Sequence, residues 1–600
     1  MDLSSYLLTI LHYSAETDLL LGHPHPSLLL NLEIDSCMAS PIRRATTSLL
    51  SMATSTTPPR RIAIIGGGPS GLSSLSQLLS VSPHCHITLF ERRSTHSGIW
   101  AYDADPGPCV VRYDRHGRAY PLWSGGKKDG AEEGRFRPPG AMYDGLRTNL
   151  PCDVMAYRSF PYARGTALFP DRKTVEEYIL EFGNETVRDA AGKAEIRLNT
   201  AVSSLVRTHH DAAEAKERIG WGSKWSLTSI DIITGEKREE SFDNIVIASG
   251  RCNTPSIPRV AGLHSFKGEV LHSAWYRSPI PFKGKTVLVV GNSSSGSDIA
   301  RELVGYILRT LPEGQSETKE FIDACEAGEQ SGKVLHSYED VDKAPPLDFD
   351  PRSGEAPHWA RRISVVPRVS HVDEEGRIVF EGGETREDVD VIVFGTGYSY
   401  DFPYLDQTLA PFDTHPLIPP HPPSAVEEEI ADPYTPPTRT SPYLTNLDDW
   451  SLFYAPDPSL CILGAPIRIV PMPLTHVQSR IVSAAWSSDL PRAPNSTALP
   501  RLDPTIPTTD PLKWSSTTST PSDSGNKTSD LGYPSDTAYQ NALLSLLPTH
   551  LRPPGPDEFT TVTQEDTPTT ATHEGWRSIA EFRNQRRADT KRLRRSLLGY

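Results

Sequence analysis

Two stretches of the chain repeat one hydrophobic pattern. From Arg61 an apolar run, Ile62 to Ile65, leads into a glycine-rich turn, after which Leu72, Leu75, Leu78 and Leu79 recur at helical spacing. That pattern predicts a buried strand, a tight turn and an amphipathic helix. HITLFERR then supplies a second strand ending at Glu91. The sequence KTVLVVGNSSSGSDIARELV, from Lys285, repeats the order, with KVLHSYED (333–340) as its next strand. A third apolar run, VDVIVFGTGYSYDFPYL (389–405), again ends in glycines.

Strand–turn–helix order with continuous apolar runs predicts parallel sheets. The expected architecture is therefore α/β, with two doubly wound Rossmann-like dinucleotide-binding domains and the smaller one inserted in the larger. The boundaries read as 58–258 for the first part of the larger dinucleotide-binding domain, 259–389 for the smaller one and 390–600 for the larger one's second part. Residues 411–442 are dense in proline and 487–530 are rich in Ser, Thr and Pro, so both read as long loops or disordered insertions. An acidic insertion is expected at 310–332. Residues 1–57 read as a dispensable extension, with Met38 and Met52 as alternative starts; its apolar stretches fall short of the ~18 residues of a membrane span.

The glycines carry the chemistry. Gly66, Gly68 and Gly71 stand in GxGxxG spacing between strand and helix, together with Pro69 and Ser70. Such glycines serve a tight turn, close approach to a pyrophosphate and close helix–strand packing. Unpaired N–H groups at the helix start then hold phosphate. Glu91 lies about 20 residues on, where an acid binds ribose hydroxyls. The acid disfavours a 2′-phosphate, so this site suits FAD or NAD better than NADP. In the second loop the pattern is Gly291-x-Ser293-x-Ser295-Gly296, with serine in place of the middle glycine. Asp298 reads as either a surface or a packing residue.

Composition narrows the partners. Lys and Arg number 60 against 75 Asp and Glu, a net charge of −15. No basic face for nucleic acid is expected from that balance. The 7 cysteines include no CxxC pair, so neither a disulfide framework nor a metal site is expected, and a reducing, cytoplasmic setting fits.

Between the loops, FKGEVLHSAWYR reads Phe266-x-Gly268-x-x-x-His272-x-x-x-Tyr276. This resembles the FxGxxxHxxx(Y/F) fingerprint of the flavin-containing monooxygenases. The sister Baeyer–Villiger enzymes carry Trp at the last position, whereas here Trp275 falls one place early. Other segments resemble the same family in order. Gly98 and Trp100 match its G-x-W element, and YDGLRTNLPCDVMAYRSFPY (143–162) matches the stretch holding the active-site Asn, here Asn149. Thr396 and Gly397 fall in its TGY element, and Gln478 takes the position facing the isoalloxazine.

The resemblance implies FAD and NADPH as cofactors, with the larger domain the flavin domain and the smaller the nicotinamide domain, and a small-molecule substrate and O2 as partners. It implies oxygenation of a soft sulfur or nitrogen nucleophile through a C4a-hydroperoxyflavin. Asn149 would be the catalytic residue, donating a hydrogen bond to the oxygenated flavin or to the coenzyme; a turn-capping role before Pro151 is its alternative. His272 reads as a histidine linking domains rather than as a base. The basic residue that often follows the serine of the second unit's next strand is missing: Ser337 precedes Tyr338, Glu339 and Asp340, with Arg277, Arg361 and Arg362 as substitutes. Two other functions stay open: a Baeyer–Villiger or N-hydroxylating monooxygenase, and a degenerate nucleotide-binding flavoprotein acting as an interaction protein.

Overall fold

The structure, a computed structural model, describes residues 59–600 apart from 124–137, 139, 306–332, 422–425, 488–489, 491–530, 556–567 and 569–573. The extension at 1–57, the acidic insertion and nearly all of 487–530 thus lie outside the described residues.

The elements that position the site are, in order, β1 (Arg61–Ile65), α1 (Pro69–Val81), β2 (His86–Phe90), β3 (Ala194–Arg197) and β4 (Asn244–Ile247). Next come β5 (Glu269–His272), β6 (Val287–Val290), α2 (Ser294–Leu303), β7 (Val334–Ser337), β8 (Ile363–Val366) and β9 (Val391–Phe394). The last are β10 (Leu460–Ile462), α3 (Pro471–Trp486) and α4 (Glu581–Leu598).

They form two five-stranded sheets, in the orders β10-β4-β1-β2-β3 and β5-β9-β6-β7-β8, parallel at every pairing. Parallel sheets are covered on both faces, which explains the continuous apolar runs. Along β1, Ile62 and Ile64 enter one buried cluster while Ala63 and Ile65 enter another. Along β6, Val287 and Val289 face one cluster and Leu288 its opposite. The two connections between the sheets pair with each other, Thr254–Pro255 antiparallel to Tyr398–Ser399.

Two expectations need correction. The boundary at 389/390 assigned the run from Val391 to the flavin side, yet β9 lies inside the second sheet, between β5 and β6. A run of four buried apolar residues suits either parallel sheet; only the pairing of Val391 with Glu269 and Val287 decides. The described residues of the proline-rich stretch 411–442 are irregular but do not form a loose loop. Phe412, Leu417 and Ile418 are fully buried in a core they share with Trp225 and Phe242, and Tyr434 packs on Tyr120 with ring centres 5.4 Å apart. Proline removes N–H donors from sheet pairing without removing the apolar side chains beside it.

Among the described residues no helix is long and apolar enough to cross a membrane.

Candidate active site

The two glycine loops are built alike. Ile65 pairs with Phe90 and the Gly66 amide donates to the Phe90 carbonyl at 2.8 Å; Val290 pairs with Ser337 and the Gly291 amide donates to the Ser337 carbonyl at 3.0 Å. Gly66 and Gly291 have φ of 104° and 100°, a region that favours glycine. A Cβ on Gly71 would stand 1.9 Å from the Gly66 carbonyl oxygen, and one on Gly296 1.7 Å from that of Gly291. Helix and strand therefore touch through backbone, which draws the helix start over the strand end.

Neither α1 nor α2 has an acidic residue in its first turn or a side chain capping its start. Both starts thus present N–H groups and a positive dipole end to an anion. The cradle fits a dinucleotide pyrophosphate.

The loops differ at the middle position. At Gly68 the turn containing Gly98 crosses so closely that a Cβ would stand 3.0 Å from the Gly98 Cα. Gly98 itself has φ of 57°, and Trp100, half-buried, packs against the buried cluster that includes Leu72 and Tyr157. Ser293 has extended backbone (φ −88°, ψ −163°) that any residue adopts, and its side chain is exposed. Ser295 follows, half-buried, in the first turn of α2.

Glu91 is buried, and its carboxylate accepts from the amides of Gly67 and Arg93, each at 2.7 Å. The acid so held retains lone pairs for ribose hydroxyls. Pro69 and Ser70 open α1, and the Tyr157 hydroxyl donates to the Pro69 carbonyl at 3.0 Å.

Asn149 lies on the stretch between the first unit's strands, and its Nδ2 donates to Oγ of Ser294 at 3.1 Å, at the start of α2. It thus joins the flavin-side segment to the second loop. Thr396 donates to the Ser256 carbonyl at 2.6 Å, and the Gly397 carbonyl accepts from Nε2 of His272 at 2.8 Å, so both belong to the paired connections. Nδ1 of His272 accepts from the Ala274 amide at 3.1 Å. Burial lowers the pKa of this fully enclosed imidazole to about 3, so it stays neutral and both nitrogens are committed. His272 is a tie between the two sheets' connections.

Gln478 lies in the middle of α3. Its side chain is fully buried, its oxygen accepts from the Gly464 amide at 2.9 Å, and its nitrogen donates to the Tyr539 hydroxyl at 2.7 Å. Helix α3 is buried almost throughout, and the Gly464 that Gln478 holds lies beside the first glycine loop, where a Cβ would stand 4.0 Å from the Ser70 Oγ. Of the substitutes for the missing basic residue, Arg277 is spent on the carbonyls of Asp103 and Gly140, and Arg361 on those of Ala356 and Gly354. Arg362 reaches the Val304 carbonyl at 3.3 Å.

Sequence reading missed the supports beneath the site. Gln77 on α1 bonds His476 at 2.7 Å and Arg480 at 2.8 Å, locking α1 onto α3. Helix α4 reads as a basic tail, yet it turns arginines inward. Arg583 meets Glu574 at 2.8 Å and the carbonyls of Asp153, Val154 and Ala156; Arg586 meets Asp153 at 3.0 Å. Arg594 meets Asp348, which also accepts from Arg301 of α2 at 2.9 Å. The only signal for this was the placing of Phe582, Leu593 and Leu598 among the charges.

Two dinucleotide cradles with parallel sheets, one interrupting the other, and an amide reaching between them define a flavoprotein oxidoreductase that takes electrons from a nicotinamide. Comparison with known proteins narrows the class. A flavin-binding monooxygenase-like family model matches residues 109–311 and 359–417, and an FAD-NAD(P)-binding model matches 63–112. The chain is 26% identical over 439 residues to the flavin-containing monooxygenase FMO GS-OX-like 9 of Arabidopsis thaliana, covering 72% of this chain and 77% of that one. It is 26% identical over 440 residues to the thiol-specific monooxygenase of Saccharomyces cerevisiae, covering 72% and 78%. The solved S-allyl-L-cysteine S-oxygenase of Allium sativum shares the fold, with a TM-score of 0.56 at 19% identity over 90% of this chain and 94% of that one. Over these residues the chain resembles the flavin-containing monooxygenases. It is an FAD-dependent monooxygenase, and the family models imply FAD and NADPH as its cofactors.

Proposed function

We propose that this enzyme uses NADPH to oxygenate a sulfur atom of a small molecule. The observation that carries the reading is the Asn149–Ser294 hydrogen bond, which sets a flavin-side amide against the start of the coenzyme loop's helix. Bound flavin supplies the activation of O2, and the protein orients the reactants and keeps water away. Asn149 is the catalytic residue: its amide donates to the group lodged between the cradles. Glu91 and the Gly66–Gly71 turn hold FAD; Gly291, Ser293, Ser295 and Gly296 hold the coenzyme pyrophosphate.

Sulfur is favoured over nitrogen because the relatives named for a substrate act on sulfur, one being a thiol-specific monooxygenase. The NADPH preference rests on Tyr338, which stands where Glu91 stands in the first unit, so no carboxylate at that position repels a 2′-phosphate. Arg368 lies beside it, 3.3 Å from Glu339.

The test is product analysis by mass spectrometry after incubating FAD-loaded protein with NADPH, O2 and either small thiols and thioethers or tertiary amines. Addition of one oxygen to the sulfur compounds, with NADPH used faster than NADH, is expected. Oxygenation of amines alone would replace the sulfur reading with the nitrogen one. Peroxide equal to coenzyme consumed in every case would overturn both.

A further inference from the structure

Beneath the coenzyme loop's helix lies a buried acid cluster that the reaction as derived so far does not use. Tyr276, the last residue of the fingerprint, is 1% exposed and donates its hydroxyl to Oε2 of Glu302 at 2.8 Å. One turn earlier on α2, Asp298 accepts from the Tyr143 hydroxyl at 2.5 Å and from Arg301 at 2.6 Å. The two tyrosine rings meet edge to face with centres 5.7 Å apart. Oε1 of Glu302 is buried without a hydrogen-bond partner. It lies so close under Gly145 that a Cβ there would stand 2.1 Å from it.

The segment 143–149 therefore rests on α2 at three places: Tyr143 on Asp298, Gly145 on Glu302 and Asn149 on Ser294. It is fastened from the fingerprint side too, since the Asp144 amide donates to the Arg277 carbonyl at 2.8 Å and Arg277 donates to the Gly140 carbonyl at 2.6 Å. Sequence spacing places the fingerprint's last residue far from this segment; the fold sets the carboxyl that Tyr276 holds directly under Gly145, four residues before Asn149.

We propose that Glu302, held by Tyr276, is a positioning residue: it seats segment 143–149 on α2 and so sets the Asn149 amide against Ser294 at the coenzyme loop. The proposal rests on the reading of Asn149 as the residue that acts between the two cradles. The role needs an uncharged hydrogen-bond acceptor of this length, because an anion without a second partner is costly in so enclosed a place. Burial, with Asp298 and Asp144 adding to it and Tyr276 and Arg301 opposing it, pushes the Glu302 carboxyl up to about 8, so it is protonated at neutral pH.

The experiment compares FAD-loaded Glu302→Ala, Glu302→Gln, Tyr276→Phe and Asn149→Ala proteins, and the Glu302→Ala/Asn149→Ala double variant. It measures the Kd for NADP+ by titration of flavin absorbance, and the fraction of NADPH electrons lost as peroxide. Glu302→Ala and Tyr276→Phe are expected to raise peroxide loss severalfold with FAD content unchanged, and Glu302→Gln to restore coupling to near the parent value. The double variant is expected to be no worse than Asn149→Ala alone, since residues acting through one contact are not additive. If Asn149→Ala leaves Kd and coupling unchanged, the reading of Asn149 falls and the proposal with it. If Asn149→Ala uncouples but Glu302→Ala does not, or their effects add, the proposal alone falls. Glu302→Gln as damaging as Glu302→Ala would also overturn it.

Discussion

Glu91 and Tyr338 occupy the same place in two equivalent units: each follows the strand residue, Phe90 or Ser337, whose carbonyl accepts the first glycine's amide. One unit therefore places a carboxylate after its strand and the other an aromatic ring, 1% exposed. Glu91→Ala removes the acceptor for Gly67 and Arg93 together with the ribose contact proposed for it. The variant is expected to purify with much less flavin, read as the 450 nm to 280 nm absorbance ratio. Tyr338→Glu is expected to shift the ratio of NADP+ to NAD+ affinity toward NAD+ by about tenfold, roughly 1.4 kcal/mol. An unchanged ratio would show that the 2′-phosphate lies elsewhere.

The glycine contacts predict a clean separation of the two sites. Gly296→Ala must displace the Gly291 carbonyl, which a Cβ would approach to 1.7 Å, while α1 is untouched. Flavin content should stay at the parent level and coenzyme reduction of the flavin should fall by at least about tenfold, a barrier change near 1.4 kcal/mol. Gly71→Ala is expected to lose flavin outright. Equal flavin loss in both variants would contradict the independence of the cradles.

His272 is expected to leave no trace in the pH dependence of activity. Its pKa is lowered to about 3 by burial, so it is neutral throughout the working range. His272→Ala leaves the Ala274 amide and the Gly397 carbonyl without their partner, which should cost about 1–3 kcal/mol of stability per unsatisfied group. Thermal melting measures the loss. A pH–rate inflection removed by His272→Ala would restore the histidine as a base.

Stability should fall as pH rises toward alkaline values. Burial raises Glu302 from 4.5 to about 8 and Asp448 from 3.8 to about 7, and Asp449 and Asp298 push the same way. The folded chain keeps these protons where the unfolded chain has lost them. Their contribution is therefore complete below the ordinary carboxylate range and is lost progressively up to the folded pKa. Melting temperature against pH should decline between about pH 4 and 8, and Glu302→Gln and Asp448→Asn should each flatten the decline. A slope unaffected by either variant would refute the assignment.

The inward arginines of α4 predict the largest single loss. Glu574 is buried against Arg158 at 3.1 Å and Arg583 at 2.8 Å. Glu574→Ala leaves two enclosed cations facing each other, an effect on the order of 3–5 kcal/mol. Arg592→Ala, on an exposed pair, should shift melting within error. Similar small shifts for both would mean that the buried network contributes little.

The sequence alone determined what depends on neighbours along the chain. Both strand–glycine–helix units, the acid after β2 and the fingerprint at 266–276 are local patterns, because a turn's backbone and a helix's apolar face are encoded within some twenty residues. Tertiary structure decided what depends on pairing between distant segments. Strand β9 went to the second sheet through register with β5 and β6, the Gln478 side chain was committed to Gly464 and Tyr539, and Phe412 with Leu417 pulled a proline-rich stretch inward. The α4 arginines could not be placed from sequence, since a basic helix reads as solvated until the carboxylates of Asp153, Asp348 and Glu574 are seen beneath it. The pairs of Arg586 with Asp153 and Arg594 with Asp348 span more than two hundred residues and leave no periodicity to read, and only the folded chain brings these partners within hydrogen-bond reach.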